Sequence, residues 1–447
     1  MTYVITEPCT VKAIGVTAKP FCVVVAGGGV AGLEAVLGLR DLAGGRIAIT
    51  LLSPEPEFVY RPMAVAEPFG RGRAARHELA DIAGDLGVDV VPEALAAVDD
   101  ARRIAITSGG DELSYDALLV AVGADSEPAF RRVLTWTPER DPELYAGLLA
   151  DLEQGYSKRV AFVVPPGVAW TLPAYELALM TAWQVWGMGE DDVEVTIYTP
   201  EDAPLGLFGP RATAAVRRDL EEAGVRAETG VLVAENPATP GRLVLHPGEQ
   251  VLEAHRVVAL PRPAGRAPAG LPADARGFLP TDLHGKVAGL AAVWAAGDAV
   301  AFPVKQGGLA AQQADAAAEA IAASAGADVT PRPFRPVLRG VMLTGRGSDW
   351  MRREVAGGGG EGSVSRRALW WPPTKIAGRY LSPYLAARDD TPALEGVASP
   401  PGEAVELDLT RELPAAAEAL RWASQRSDLH RSDFARHRAA APHGDAT

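Results

Sequence analysis

The apolar run Phe21-Cys22-Val23-Val24-Val25-Ala26 stops at Gly27-Gly28-Gly29-Val30-Ala31-Gly32, and a helix-forming segment continues to Leu42. Gly27, Gly29 and Gly32 make a GxGxxG set that closes a strand and opens a helix. Each glycine answers a separate demand: Gly27 permits the tight turn, Gly29 lets the backbone approach a pyrophosphate, and Gly32 lets the helix pack closely. The amides of the first helical turn have no partners within the helix, so they present N–H groups and the positive dipole end to a phosphate. A second apolar run, Ile47-Ala48-Ile49-Thr50-Leu51-Leu52, completes the pattern of a right-handed βαβ unit. Further strands are expected at Val88 to Val91, Arg103 to Thr107 and Ala117 to Val122. Together they predict a parallel-sheet nucleotide domain.

A second unit of the same kind begins at Arg159, with a strand at Val160 to Val164, a helix from Ala174 to Trp186 and a strand at Val193 to Tyr198. The chain returns through Val257 to Leu260, a proline-rich link at 261–272 and a strand at Ala292 to Ala295. An alanine-rich helix from Gly308 to Ala323 follows. The 447 residues allow two or three domains. The expected class is α/β, with two dinucleotide-binding domains, the first split by the second, and a small C-terminal domain. The expected boundaries are a leader at 1–20, a first domain at 21–130 and 266–330, a second at 131–265, a C-terminal domain at 331–390 and a tail at 391–447. A glycine-rich loop at Gly357 to Gly360 and a last helix at Pro414 to Arg426 are expected within the last two.

Two cysteines, Cys9 and Cys22, cannot build a disulfide framework, a zinc set or an iron–sulfur cluster. No histidines fall at a metal-ligand spacing, so no metal is assigned. The net charge of −14 argues against a nucleic-acid partner, which requires a basic face. No signal peptide and no long uncharged apolar stretch is found, which predicts a cytoplasmic protein with surface attachment to a membrane left open. Residues 335–388 carry ten basic side chains against three acids. Within them Ile376, Tyr380, Leu381, Tyr384 and Leu385 share a helical face beside Lys375 and Arg379, which suits a peripheral membrane contact.

Two later motifs recur where a flavin-binding chain needs them. Tyr115-Asp116-Ala117-Leu118-Leu119-Val120-Ala121-Val122-Gly123 is a strand ending in glycine, which lets the chain cross close to a dinucleotide. Val293-Trp294-Ala295-Ala296-Gly297-Asp298 ends in Gly-Asp, where a carboxylate accepts from a polyol hydroxyl. In this order and spacing the three motifs resemble the flavoproteins with two dinucleotide-binding, Rossmann-like domains, the pyridine nucleotide-disulfide oxidoreductase superfamily. Phe58-Val59-Tyr60-Arg61-Pro62 and Pro303-Val304-Lys305-Gln306-Gly307-Gly308 are similar to the branch of type II NADH dehydrogenases and sulfide:quinone oxidoreductases. The resemblance implies bound FAD, with Gly27, Gly29, Ala31 and Gly32 at the pyrophosphate, Gly123 and Gly297 beside the cofactor, and Asp298 at the ribityl chain. It also implies Gln306 and Gly307 near the isoalloxazine. Ser53 stands where the family places an acid for the adenosine ribose, and a serine hydroxyl makes a weaker bond there. The opening Thr2 to Cys9 resembles the first residues of small bacterial ferredoxins, and the likeness stops there.

The second unit departs further. Pro165-Pro166-Gly167-Val168-Ala169-Trp170 keeps only the middle glycine, proline supplies no amide hydrogen, and Thr199 ends the strand where an acid would hold an NAD ribose. This predicts a domain that keeps its fold and has lost ordinary NAD(P)H binding. Pro173-Ala174-Tyr175-Glu176 and Thr199-Pro200-Glu201 resemble sulfide:quinone oxidoreductases, yet the cysteines of sulfide chemistry are missing. Lys305 is either a solvated loop lysine or a catalytic cation that stabilises reduced flavin or an anionic quinone. Trp370-Trp371 fits core packing or a homodimer seam, and Trp170, Trp183 and Trp186 a buried helix face. The expected function is FAD-dependent electron transfer to or from a quinone or other acceptor. The alternatives are an NAD(P)H:acceptor oxidoreductase and a non-catalytic flavin-bound scaffold.

Overall fold

The computed structural model describes residues 19–137, 142–236, 238–353 and 362–388. Most of the leader, the glycine run at 357–360, the helix expected at 414–426 and the tail from 391 lie outside them.

In chain order the first unit holds β1 (Phe21–Ala26), α1 (Val30–Ala43), β2 (Ile47–Leu52), α2 (Leu79–Leu86), β3 (Asp89–Val91) and β4 (Ala117–Val120). There follow β5 (Leu134–Thr135), α3 (Pro142–Glu153), β6 (Arg159–Val163), α4 (Leu172–Met188), β7 (Glu194–Tyr198), α5 (Pro210–Glu222), β8 (Val225–Glu228) and β9 (Arg256–Ala259). The described residues end with β10 (Val293–Ala295), α6 (Gly307–Ser324), β11 (Leu338–Leu343), β12 (Ser348–Arg353), β13 (Ser363–Ser365) and α7 (Leu381–Arg388).

Two five-stranded sheets result, β10-β4-β1-β2-β3 and β5-β9-β6-β7-β8, with parallel pairing throughout. Their strands read as continuous apolar runs because both faces are covered, by helices on one and by antiparallel strands on the other: Leu95, Val98, Ala105 and Leu113 share the core of the first sheet, and Val233 and Leu243 pack with Ala161 and Val163 of the second. Val23, Val24 and Val25 pair with Ile49, Thr50 and Leu51 on one side and Ala117, Leu118 and Leu119 on the other, all inside one core. In the first sheet the chain proceeds from β1 outward through β2 and β3, then crosses back to β4. The C-terminal end of β1 is therefore the switch point at which open α/β sheets bind ligands, and the end of β6 is its counterpart in the second sheet. The first sheet gains its edge strand, β10, only after the second sheet has been inserted. The two are joined by an antiparallel pair, Ala124–Glu127 with Arg262–Gly265, the second strand arising inside the proline-rich link.

One expected strand belongs elsewhere. Ile104–Thr107 lies in a separate antiparallel sheet with Leu95–Asp99 and Glu112–Ser114, because tight turns at 100–103 and 108–111 fold it back on its neighbours. The C-terminal part is an antiparallel sheet, β11-β12-β13, resting on α4 and α5, followed by a segment that returns to α1.

Candidate functional site

At the first switch point the glycines divide into two kinds. A Cβ on Gly27, whose φ is +117°, would stand 2.2 Å from the Ala121 carbonyl oxygen, and one on Gly32 would stand 1.8 Å from that of Gly27. These two are imposed by packing. Gly29, the N-cap of α1, has nothing within 4 Å of its would-be Cβ, so an open space adjoins the first turn of the helix. Gly28, which the spacing leaves unassigned, is closed by Leu79 and by the Ser53 hydroxyl, 2.8 Å from the would-be Cβ.

The three motifs meet here. The Gly27 turn rests on Ala121 at the end of β4, and Gly123, with φ +73°, starts the crossing to the second unit. Gly297 sits 3.0 Å from the Ala31 methyl by its would-be Cβ and donates its N–H to the buried Gln313 side chain at 2.8 Å. Asp298 follows, partly exposed. Burial raises its pKa against the pull of Lys305 and Arg61, and its carboxylate accepts no hydrogen bond from the described residues. A partly exposed carboxylate without a protein donor can accept from a ligand hydroxyl.

The remaining expected ligands are more engaged. Ser53 is buried and donates its hydroxyl to the Glu55 carbonyl at 3.1 Å, so only its lone pairs remain for a ribose. Gln306 accepts from the Leu309 N–H at 2.8 Å as the cap of α6 and donates to the Arg339 carbonyl, so its side chain is used within the protein. Gly307 lies under Ile376, whose Cδ1 is 2.7 Å from the would-be Cβ. Lys305 is no solvated loop residue: its ammonium donates to the Val300 carbonyl and lies 3.7 Å from the centroid of the Phe278 ring. Burial lowers its pKa to about 8 against the opposing charge of Asp298.

A group that sequence reasoning did not assemble lies beside the start of α6. Lys375 donates to Glu176 at 2.5 Å and to the Pro62 carbonyl at 3.1 Å, and both side chains of this pair are buried. Glu176 also accepts from Leu343 N–H at 2.9 Å, and burial raises its pKa against the pull of Lys375. The Ile376 N–H donates to the Tyr60 hydroxyl at 2.7 Å, and burial pushes that phenol up to about 12. The signal was present: Glu176 is the single charge in the 17-residue apolar helix α4.

The second switch point has lost its glycine amides rather than its space: Gly167 has nothing within 4 Å of its would-be Cβ, but prolines flank it on the side where the first unit has glycines. The Pro165–Val168 turn closes on itself through Val168 N–H and the Pro165 carbonyl, and Trp170 meets Phe208 edge-on at 5.9 Å. The acid that the strand end lacks at Thr199 is present two residues later as Glu201. Its carboxylate accepts from Tyr175 at 2.8 Å and Thr199 at 2.9 Å, and burial raises its pKa to about 7.

Two expectations for the aromatic and apolar segments are corrected. Trp186 is 62% exposed, and Trp183 and Trp186 clasp Arg346, whose guanidinium lies 3.5 Å over Trp183. The β11–β12 turn reaches these rings and leaves their outer side open, so no buried tryptophan face forms. The residues expected to share one helical face along 376–385 do not: α7 starts only at Leu381, and Ile376, Leu381 and Leu385 are buried while Tyr380 and Tyr384 stay partly exposed. Trp370 is core, 4.6 Å from Trp350.

Two parallel sheets with one open glycine turn and an unpartnered carboxylate beside it define a dinucleotide-binding oxidoreductase. The chain belongs to the pyridine nucleotide-disulphide oxidoreductase family, whose pattern matches residues 21–134 and 174–322. The match omits the stretch that holds Pro165 to Trp170. An NADH dehydrogenase-like protein of Mycobacterium tuberculosis is 30% identical over 297 residues, covering 62% of this chain and 72% of that protein. A sulfide-quinone reductase of Aquifex aeolicus is 28% identical over 215 residues, 45% of this chain and 47% of that one. The crystal structure of the sulfide:quinone oxidoreductase of Aquifex aeolicus superposes with a TM-score of 0.69 at 20% identity, over 77% of this chain and 87% of that one. The protein is an FAD-dependent oxidoreductase of this superfamily, in the branch of sulfide:quinone oxidoreductases and type II NADH dehydrogenases.

Proposed function

We propose that the protein passes electrons through FAD to or from a quinone, with a reductant other than NAD(P)H. The observation that carries this reading is the contrast between the two switch points. One has a glycine turn at a helix N-terminus beside a carboxylate with no protein donor, and the other has prolines, which supply no amide hydrogen, in place of the glycines, with Trp170 against Phe208 beside them.

The residues at the first switch point fit the cofactor. Amides of the Gly29, Ala31 and Gly32 turn would take the pyrophosphate, with Gly27 shaping the turn. Ser53 would accept from the adenosine ribose, and Asp298 from a ribityl hydroxyl. The backbones of Gly123, Gly297, Gln306 and Gly307 would border the ring system. FAD, when bound, supplies the electron-accepting chemistry. Lys305 would place a cation near the ring below about pH 8 and a neutral amine above it. The Glu176–Lys375 pair, enclosed beside Tyr60 and Ile376, can hold or release a proton at an acceptor, which quinone reduction requires. Among the described residues no helix is long and apolar enough to cross a membrane, so a lipid-soluble quinone would be met at the bilayer surface.

Anaerobic titration with NADH and then NADPH, following the visible flavin band, tests the reading. A yellow protein that stays oxidised, and is then bleached by a quinol or sulfur donor, is the expected result. Stoichiometric bleaching by NADH would overturn it in favour of the NADH:acceptor alternative, which the 30% identical relative supports. A colourless protein would favour the scaffold.

A further inference from the structure

The segment that covers the start of α6 is fastened to α1 through a buried carboxyl. Glu34, fully enclosed on α1, accepts from the Tyr380 and Leu381 N–H groups at 2.8 Å each. Gly378 is what permits this approach, since a Cβ there would stand 2.4 Å from the Glu34 carboxylate. One turn along α1, a Cβ on Gly38 would lie 3.0 Å from the Tyr380 ring. The segment also binds itself, with Ser382 accepting from Gly378 N–H at 2.8 Å and donating to the Ile376 carbonyl at 2.7 Å. Whatever holds Tyr380 and Leu381 therefore also holds Ile376 over Gly307.

Asp315 on α6 faces the same carboxyl, and its Oδ1 is buried with no hydrogen-bond partner. Burial raises the pKa of Glu34, and burial together with the Glu34 charge raises that of Asp315, so the pair favours holding one proton between them. The surrounding charges do not cancel this. Arg379 favours the charged form of Asp315, but its guanidinium pairs with Glu319 at 3.3 Å, and Glu319 is also held by Arg332 at 2.5 Å. Glu319 itself disfavours ionisation of Asp315. Tyr380 stays neutral, pushed up to about 12 mainly by burial, with Asp41 adding to that shift.

We propose that Glu34 and Asp315 form a one-proton clasp that holds residues 376–388 closed over the start of α6, and that loss of this proton to solvent loosens the segment. Both are positioning residues: they act through Tyr380, Leu381 and Ile376 on the proposed flavin site. Ionisation of the second carboxyl leaves two charges in contact, and the cheapest relief is to admit water by lifting the segment.

Hydrogen exchange of the peptide spanning 376–388, measured on the full chain from pH 6 to pH 10 and expressed as protection relative to the unfolded chain, tests this without reference to flavin or turnover. Protection of the wild type is expected to fall at least tenfold across the range. Asp315→Asn, which keeps the shape and a donor to Glu34 but cannot ionise, is expected to hold it level to pH 10. If that variant does not fold, Asp315→Ala serves, since it removes the second ionisable carboxyl and leaves both Glu34 oxygens to the Tyr380 and Leu381 N–H groups. Wild-type protection that is level with pH, or a variant that follows the wild-type profile, would overturn the proposal. If NADH bleaches the flavin while the clasp behaves as stated, only the donor assignment fails.

Discussion

Removing Lys375 while leaving Glu176 in place gives a test whose size follows from the geometry. The Glu176 and Lys375 side chains are 2% and 8% exposed, and their 2.5 Å contact is supplemented on the acid by Leu343 N–H. Deleting one member of such a pair generally costs about 3–5 kcal/mol, because the other charge stays buried. Lys375→Met is expected near the lower end, about 3 kcal/mol, since Leu343 still donates to the acid. The cost must also depend on pH. Lys375 is what lowers the Glu176 pKa against burial, so without it the acid rises further above its ordinary value near 4.5 and takes up a proton. An acid with a raised folded-state pKa stabilises at low pH and loses that contribution as pH rises. The variant should therefore lie closer to the wild type at pH 5.5 than at pH 8.5 in urea unfolding. Adding Glu176→Gln, which keeps an acceptor for Leu343, should recover most of the loss at pH 8.5. A single variant within about 1 kcal/mol of the wild type at pH 8.5, or a double variant no better than the single, would refute the reasoning.

Gly32→Ala places a methyl 1.8 Å from the Gly27 carbonyl, so the turn must open, and the purified variant is expected to lose its yellow colour or fail to fold. Lys305 has its pKa lowered to about 8, so the folded state binds fewer protons than the unfolded chain between pH 8 and about 10.5. Stability should rise with pH across that window, and Lys305→Met should flatten the rise in melting temperature. Asp219, on α5, is raised to about 6 by burial and by Asp349 on β12, with Arg218 and Arg366 opposing. Its contribution is full below about pH 3.8 and gone above about pH 6, so Asp219→Asn should remove a downward slope in stability between those values.

What sequence reasoning recovered and what it missed have different physical origins. The strands Phe21–Ala26 and Ile47–Leu52 and the helix from Val30 were legible because apolar run, glycine turn and helix period are local and agree. The packing demands at Gly27 and Gly32 were legible from their spacing, and the missing glycines of the second turn from its prolines. The Ile104–Thr107 strand was misplaced because an apolar run carries no record of its partner, and a hairpin looks the same as a crossover until the turns are resolved. Lys375, Glu176 and Tyr60 stand far apart in the chain, and no periodicity joins them. Trp186 was expected inside because tryptophan usually packs there, whereas here it faces a turn built from Gly345 and Arg346.

The late arrival of β10 bears on how the protein is made. While a ribosome has delivered only the first 290 residues, the first sheet has no edge strand, no Asp298 and no α6 against α1, whereas the whole second sheet, from Leu134 to Ala259, has already emerged. The inserted unit can thus consolidate first, and the unit that encloses the open glycine turn is finished last, when α6 and then the 376–388 segment dock. Until then neither α6 nor the 376–388 segment lies against α1.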